Sequence, residues 1–273
     1  MRVDQLSNPH EENKEVQFIL KSPSIGFRLG WLLTGLIIGY IGSALRLPAI
    51  APVVFIAVLA GISSNWSSCG CSMVGTIAPV VYRDSPLGRR SWIVAALIYT
   101  LGSIAGGVVV GALLGLLGSL LSLDLYTEYF PLLISMTALG YSLHEFRILS
   151  LPYPQMRRQV PDPWRRRLHP YVVAALFGFL LGIGFTTFIP TATYYIVVLT
   201  ATLYGSPLYG AVIFSIYGFA RASLLWPFAQ YAKGRSNFER MTYYMDLTKP
   251  IMSQINGFAL AMLSAYQLGV YLA

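Results

Sequence analysis

The chain has 273 residues, of which 55% are hydrophobic and 11% charged, with a formal net charge of +8 and a mean hydropathy of +0.60. A soluble domain carries about 25% charged residues, so a charge complement this sparse excludes a water-soluble globular fold. The Lys and Arg residues gather in short loops between apolar runs, a pattern of topology signals rather than of a phosphate-tracking groove, which excludes a nucleic-acid binder.

Residues 1–26 precede the first apolar run and carry Asp4, Glu11, Glu12 and Glu15, unlike a cleavable secretory signal. The first span, expected as the anchor, then runs from about Phe27 to Leu47, closed by Pro48. A second apolar segment, Ala49 to Tyr82, is too long for one straight span, since about 20 residues cross a bilayer. A third runs from Ser91 to Leu121 and a fourth from Phe130 to Leu149. The fifth covers Tyr171 to Thr200, the sixth Leu208 to Tyr231 and the last Pro250 to Tyr271. The expected fold is an all-α polytopic membrane protein of about seven transmembrane helices.

Loop charges orient the spans. Arg83, Arg89 and Arg90 follow the second span, Arg157, Arg158, Arg165, Arg166 and Arg167 the fourth, and Lys233, Arg235, Arg240 and Lys249 the sixth. The loops after the third and fifth spans hold no Lys or Arg. The positive-inside rule then expects an inner-membrane protein with a cytoplasmic amino terminus and an extracytoplasmic carboxyl terminus.

The second and fifth segments share a plan: an apolar helix, a cluster of small and hydroxyl residues, and a resumed helix. The first cluster is Ser67-Ser68-Cys69-Gly70-Cys71-Ser72, with Pro79 downstream; the second is Gly182-Ile183-Gly184-Phe185-Thr186-Thr187-Phe188-Ile189-Pro190-Thr191. Gly and Pro weaken a helix, and Ser and Thr hydroxyls can satisfy the backbone groups that a break exposes. Two such spans in corresponding positions point to a midplane site in a repeat-built protein. Three spans follow from each break, so residues 49–150 and 171–273 are expected to be inverted three-helix repeats. Residues 151–170 are the basic, Pro-rich cytoplasmic linker and residues 27–48 an added helix.

The broken spans, Ser68-Cys69 with Pro79, Gly182-Ile183-Gly184-Phe185 leading to Pro190, and Tyr217-Gly218-Phe219-Ala220-Arg221 resemble the CcdA/DsbD-type transmembrane thiol–disulfide carriers, over about Ile50 to Ala273. The resemblance implies one redox cysteine from each broken span, cycling between dithiol and disulfide. It also implies a cytoplasmic thioredoxin-like donor and an extracytoplasmic thiol acceptor. Cys69 matches the first-half cysteine and Cys71 has no counterpart. Thr187-Phe188-Ile189-Pro190 stands where the second-half cysteine belongs, so the family's relay between two halves cannot form in this chain.

Cys69 and Cys71 are the chain's two cysteines and its candidate catalytic pair. Thiolates are soft nucleophiles and soft metal ligands, and a disulfide closed over one intervening residue is strained and labile. A free Cys is also a small apolar residue of buried helices. Ser67, Ser68, Gly70, Ser72, Thr186, Thr187, Pro190 and Thr191 are the candidate cavity lining. Arg221, inside the sixth span, is either a charge site or a side chain snorkelling to the surface. His144, Glu145 and Arg147 close the fourth span, where a His-Glu pair could relay protons, and they read rather as a solvated cytoplasmic rim. The glycines Gly102, Gly106, Gly107, Gly111, Gly115 and Gly118 read as a packing face, toward a broken span or a partner subunit. The three histidines are too scattered for zinc, no haem-attachment spacing occurs, and no cofactor is expected.

Three functions fit these features. One is thiol–disulfide electron transfer, in support of cytochrome c or other redox-protein maturation. Another is transport of a soft metal ion or small sulfur compound with Cys69 and Cys71 as ligands, the one reading that gives this chain a metal site. The third is a non-catalytic assembly or structural subunit of a larger membrane complex. The lipid bilayer is the partner common to all three.

Overall fold

The computed structural model describes residues 24–45, 48, 50–66, 88–152, 169–185, 189, 191–227 and 235–273. Among these residues the chain is helical and has no strand. The α-helices are α1 (Ile25–Ala44), α2 (Ile50–Ser63), α3 (Gly88–Leu120), α4 (Phe130–Glu145), α5 (Pro170–Ile183), α6 (Ala192–Leu203), α7 (Pro207–Ser223) and α8 (Arg235–Leu272). Short 3₁₀ turns occupy Ser64–Trp66 and Leu123–Tyr129.

Among the described residues, four segments are long and apolar enough to cross a membrane: Ile25–Ala44, Ile93–Leu120, Pro207–Pro227 and Arg240–Leu272. α2 and α5 have 14 residues each and α6 has 12. At about 1.5 Å per residue none of these three reaches across a hydrocarbon core of about 30 Å. The fifth hydrophobic segment is therefore two helices, and the expected break at Gly182–Thr191 lies between them.

Lipid tails are as apolar as leucine, so packing here relies on close contact and small residues rather than on escape from water. α3 shows how. A Cβ on Gly106 would meet the Phe179 carbonyl of α5, and one on Gly111 the Gly210 carbonyl of α7. The glycine stripe is thus divided between two neighbours, the broken span on one side and α7 on the other. A second layer is formed by α8, which runs along α1 and α4. Gly39 of α1 lies against the Met262 backbone, and Trp31 packs edge-on to Phe258 at 5.2 Å. The outward faces carry large apolar side chains, among them Leu33, Ile37, Leu101, Leu113 and Met136, which suits contact with lipid.

One boundary departs widely from expectation. The last helix begins at Arg235, not near Pro250, and Pro250 lies inside it. Hydropathy locates the part of a helix that sits in lipid; the helix itself continues wherever its side chains find partners. Met241 and Met245, one turn apart, are buried, and Thr248 accepts a hydrogen bond from the Trp66 indole at 2.9 Å.

Candidate functional site

Most of the predicted site falls outside the described residues: Ser67, Ser68, Cys69, Gly70, Cys71 and Ser72 in the first cluster, Thr186, Thr187 and Pro190 in the second. What is described is the chain that leads up to the first cluster and the two helix ends that flank the second.

α2 ends in a tight turn whose residues Ser63, Ser64 and Asn65 are fully buried. Buried polar groups need partners, and the turn supplies several of them locally, while Asn65 Oδ1 has none among the described residues. The Ser64 hydroxyl donates to the Gly61 carbonyl at 2.7 Å. The Asn65 amide lies 3.1 Å from the carbonyls of Gly61 and Ile62 and 3.0 Å from that of Arg221. It therefore ties the end of α2 to α7, four residues before Cys69 in sequence. Gly61 permits this approach: a Cβ there would lie 2.5 Å from the Tyr217 carbonyl.

Arg221 does not snorkel. Its residue is fully buried, and one guanidinium nitrogen donates to the Leu181 carbonyl at 2.8 Å and to the Tyr217 hydroxyl at 2.7 Å. Leu181 belongs to the last turn of α5, where carbonyls lack helical partners and the helix dipole is negative. A cation is stabilised at such an end, which explains how a fully buried Arg is tolerated.

The break is held by further contacts. Gly184 has φ +78°, a conformation that side-chain-bearing residues rarely adopt. A Cβ on Gly184 would collide with the Tyr194 hydroxyl. That hydroxyl instead donates to the Ile183 carbonyl at 3.0 Å, so the first turn of α6 bonds back to the end of α5. The Tyr194 ring packs on Tyr217 at 5.2 Å and edge-on to Phe214 at 6.1 Å. Tyr99 of α3 is buried nearby, and its hydroxyl has no hydrogen-bond partner among the described residues.

The other end of the break is the amino terminus of α6. Thr191 is its N-cap by position and is buried, but its side chain makes no capping bond. The acceptor comes from another helix: the Ala192 N–H donates to Oε1 of Glu145 at 3.1 Å. Glu145 is thus not a solvated rim residue. It is 6% exposed, and its carboxyl reaches both α6 and Ser253 of α8.

Among the predicted site residues, then, Arg221 and Thr191 lie at the two ends of the second break. Sequence reading missed Asn65, Tyr194 and the Glu145 cap, and it named Tyr217 within a motif without giving it a place in the site. A polar residue directly before the cysteine cluster and a carboxyl in so acid-poor a chain were the available signals. Among the described residues no group of three His, Cys, Asp or Glu side chains is placed to hold a metal.

Residues 56–245 match the family described as the cytochrome C biogenesis protein transmembrane region. The chain is also similar to proteins named methylamine utilization protein MauF. It is 34% identical over 168 residues to the one from Methylophilus methylotrophus, covering 62% of this chain and 59% of the relative. To that of Methylobacillus flagellatus it is 32% identical over 205 residues, 72% of each chain. To that of Paracoccus denitrificans it is 28% identical over 210 residues, 74% of each. The chain thus spans less than two thirds of the Methylophilus relative's length. No solved structure matches the chain significantly.

Proposed function

The chain belongs to the family of the cytochrome C biogenesis protein transmembrane region, and from that premise we propose that it is a multi-pass membrane carrier of reducing equivalents for redox-protein maturation. Cys69 is the attacking thiol in this reading and Cys71 its resolving partner. Two electrons and two protons entering the Cys69–Cys71 disulfide give the dithiol. A thioredoxin-like dithiol on the cytoplasmic side supplies them and becomes a disulfide; an extracytoplasmic protein disulfide takes them up. The relatives' printed name supports placing this step in methylamine utilization.

The observation that carries the reading is the match itself. It runs through both broken segments and includes the cysteine pair, the Gly184 break and Arg221. The described geometry adds support, because Asn65, four residues before Cys69, bonds the Arg221 carbonyl at 3.0 Å. The architecture we propose is two inverted three-helix repeats, broken at residues 67–72 and 184–191, with α1 added and the basic loops in the cytoplasm.

Alkylation of native membranes with a permeant maleimide tests this reading. Cys69 and Cys71 should be blocked in oxidised membranes and modified after dithiothreitol, and Cys69→Ser should leave Cys71 modified in both. Full modification before any reductant overturns the carrier. The second reading, a non-catalytic subunit, is favoured by Thr187-Phe188-Ile189-Pro190 standing in place of the second-half cysteine. It predicts a fixed set of co-purifying partners that serine at both positions leaves unchanged.

A further inference from the structure

Near the end of α2, Asn65 Oδ1 and the Tyr99 hydroxyl have no hydrogen-bond partner among the described residues. Both side chains are fully buried. The surroundings fix which way the Asn65 amide points. Its Nδ2 faces three carbonyl oxygens, those of Gly61 and Ile62 at 3.1 Å and that of Arg221 at 3.0 Å, and only the amino group can donate to them. Oδ1 is therefore an acceptor in need of a donor. The Tyr99 hydroxyl can donate and accept, and a buried hydroxyl ordinarily does at least one of the two.

The two groups share a neighbourhood. Trp66, the residue after Asn65, packs against the cluster that holds Tyr99 and Leu181. Arg221, whose carbonyl takes the Asn65 amide, is close enough to Tyr99 to act on its hydroxyl electrostatically, and so is Tyr217. The Leu181 carbonyl of α5 accepts from Arg221 at 2.8 Å, and the Tyr217 hydroxyl bonds both Arg221 and Ser64. α2, α3, α5 and α7 thus all contribute polar groups here. Their character selects the ligand. The Arg221 charge disfavours a metal cation. The bare acceptor on Asn65 and the negative end of α5 disfavour an anion. A small neutral molecule that donates to Oδ1 and accepts from Tyr99 fits both, and water is the molecule that proteins bury for this purpose.

We propose that Asn65 and Tyr99 hold an internal water where α2, α3, α5 and α7 meet, donating to Asn65 Oδ1 and accepting from the Tyr99 hydroxyl. That water completes the hydrogen bonding of the turn after α2 and hydrates the junction at which α2 and α5 both end. In so apolar an environment a satisfied polar group holds its neighbours in one arrangement, whereas an unsatisfied one is costly. The inference stands on described residues and does not depend on the cysteine pair being active.

Radiolytic labelling of the full chain in lipid nanodiscs, read by mass spectrometry, tests it. Short X-ray pulses make hydroxyl radicals from water, so a buried ring is oxidised only where a water lies beside it. Tyr99 should be oxidised, while Phe214, equally buried, should not. After rapid mixing with water enriched in the heavy oxygen isotope, Tyr99 should acquire the isotope more slowly than Tyr129, which is exposed in the α3–α4 connection. Asn65→Leu should lower Tyr99 oxidation to the level of Phe214. A Tyr99 left unmodified at doses that oxidise Tyr129 overturns the proposal, and so does isotope uptake at Tyr99 as fast as at Tyr129, which is the mark of bulk solvent. Both readouts use the wild-type chain, so they stay decisive if Asn65→Leu fails to fold. A folded Asn65→Leu with unchanged oxidation at Tyr99 overturns it as well.

Discussion

Gly61→Ala is the sharpest test of how α2 and α7 meet. The added Cβ would lie 2.5 Å from the Tyr217 carbonyl and 2.8 Å from the Arg221 nitrogen, whereas ordinary contact begins at 3.4 Å. Backbone cannot rotate away as a side chain can, so α2 and α7 must part by about 0.9 Å. The Asn65–Arg221 bond, 3.0 Å long, would stretch to about 3.9 Å, which is no longer a hydrogen bond. Overpacking costs about 1–3 kcal/mol, and the lost bond adds about 1 kcal/mol. Alanine's better helix propensity returns about 1 kcal/mol, leaving a net loss of about 1–3 kcal/mol. Gly30→Ala is the control, because a Cβ there meets nothing within 4 Å. Unfolding of both purified variants by denaturing detergent, followed by far-ultraviolet circular dichroism, gives the comparison. If Gly61→Ala proves as stable as Gly30→Ala, the close α2–α7 contact is wrong, and with it the link from Asn65 to Arg221.

Gly184→Ala should cost about 1–3 kcal/mol from its positive φ alone, and more through displacement of the Tyr194 hydroxyl; the same denaturation measures it. A double-mutant cycle of Arg221→Met and Tyr217→Phe should return a coupling of about 1.5–3 kcal/mol, as for a hydrogen bond to a charged group, and strict additivity would remove that bond from the account. Gly39→Leu should detach α1 from α8, since the new side chain enters the Met262 backbone, and the Trp31 emission should shift as the indole leaves Phe258.

Several elements were legible because one physical cause produced them. The glycines of α3 and the Gly184–Thr191 break are written as small or helix-breaking residues, and the structure uses them as such. Arg221 was visible as an anomaly, but its choice between snorkelling and burial depended on α5 ending at its guanidinium, a contact 40 residues away in sequence. The amino-terminal half of α8 was hidden because its polar residues mask a helix anchored by Met241, Met245 and Thr248. Glu145 was misread for a related reason. Its place at a span end suggests water, whereas the group it satisfies belongs to α6, 47 residues on. Long-range polar pairings leave no local periodicity to read.

The central claim is that Cys69 and Cys71 exchange electrons, and a redox titration of the pair in native membranes tests it most directly. The account predicts one two-electron transition between dithiol and disulfide, abolished by serine at either position. A pair that stays as free thiols across the whole potential range, with the protein intact, would contradict it.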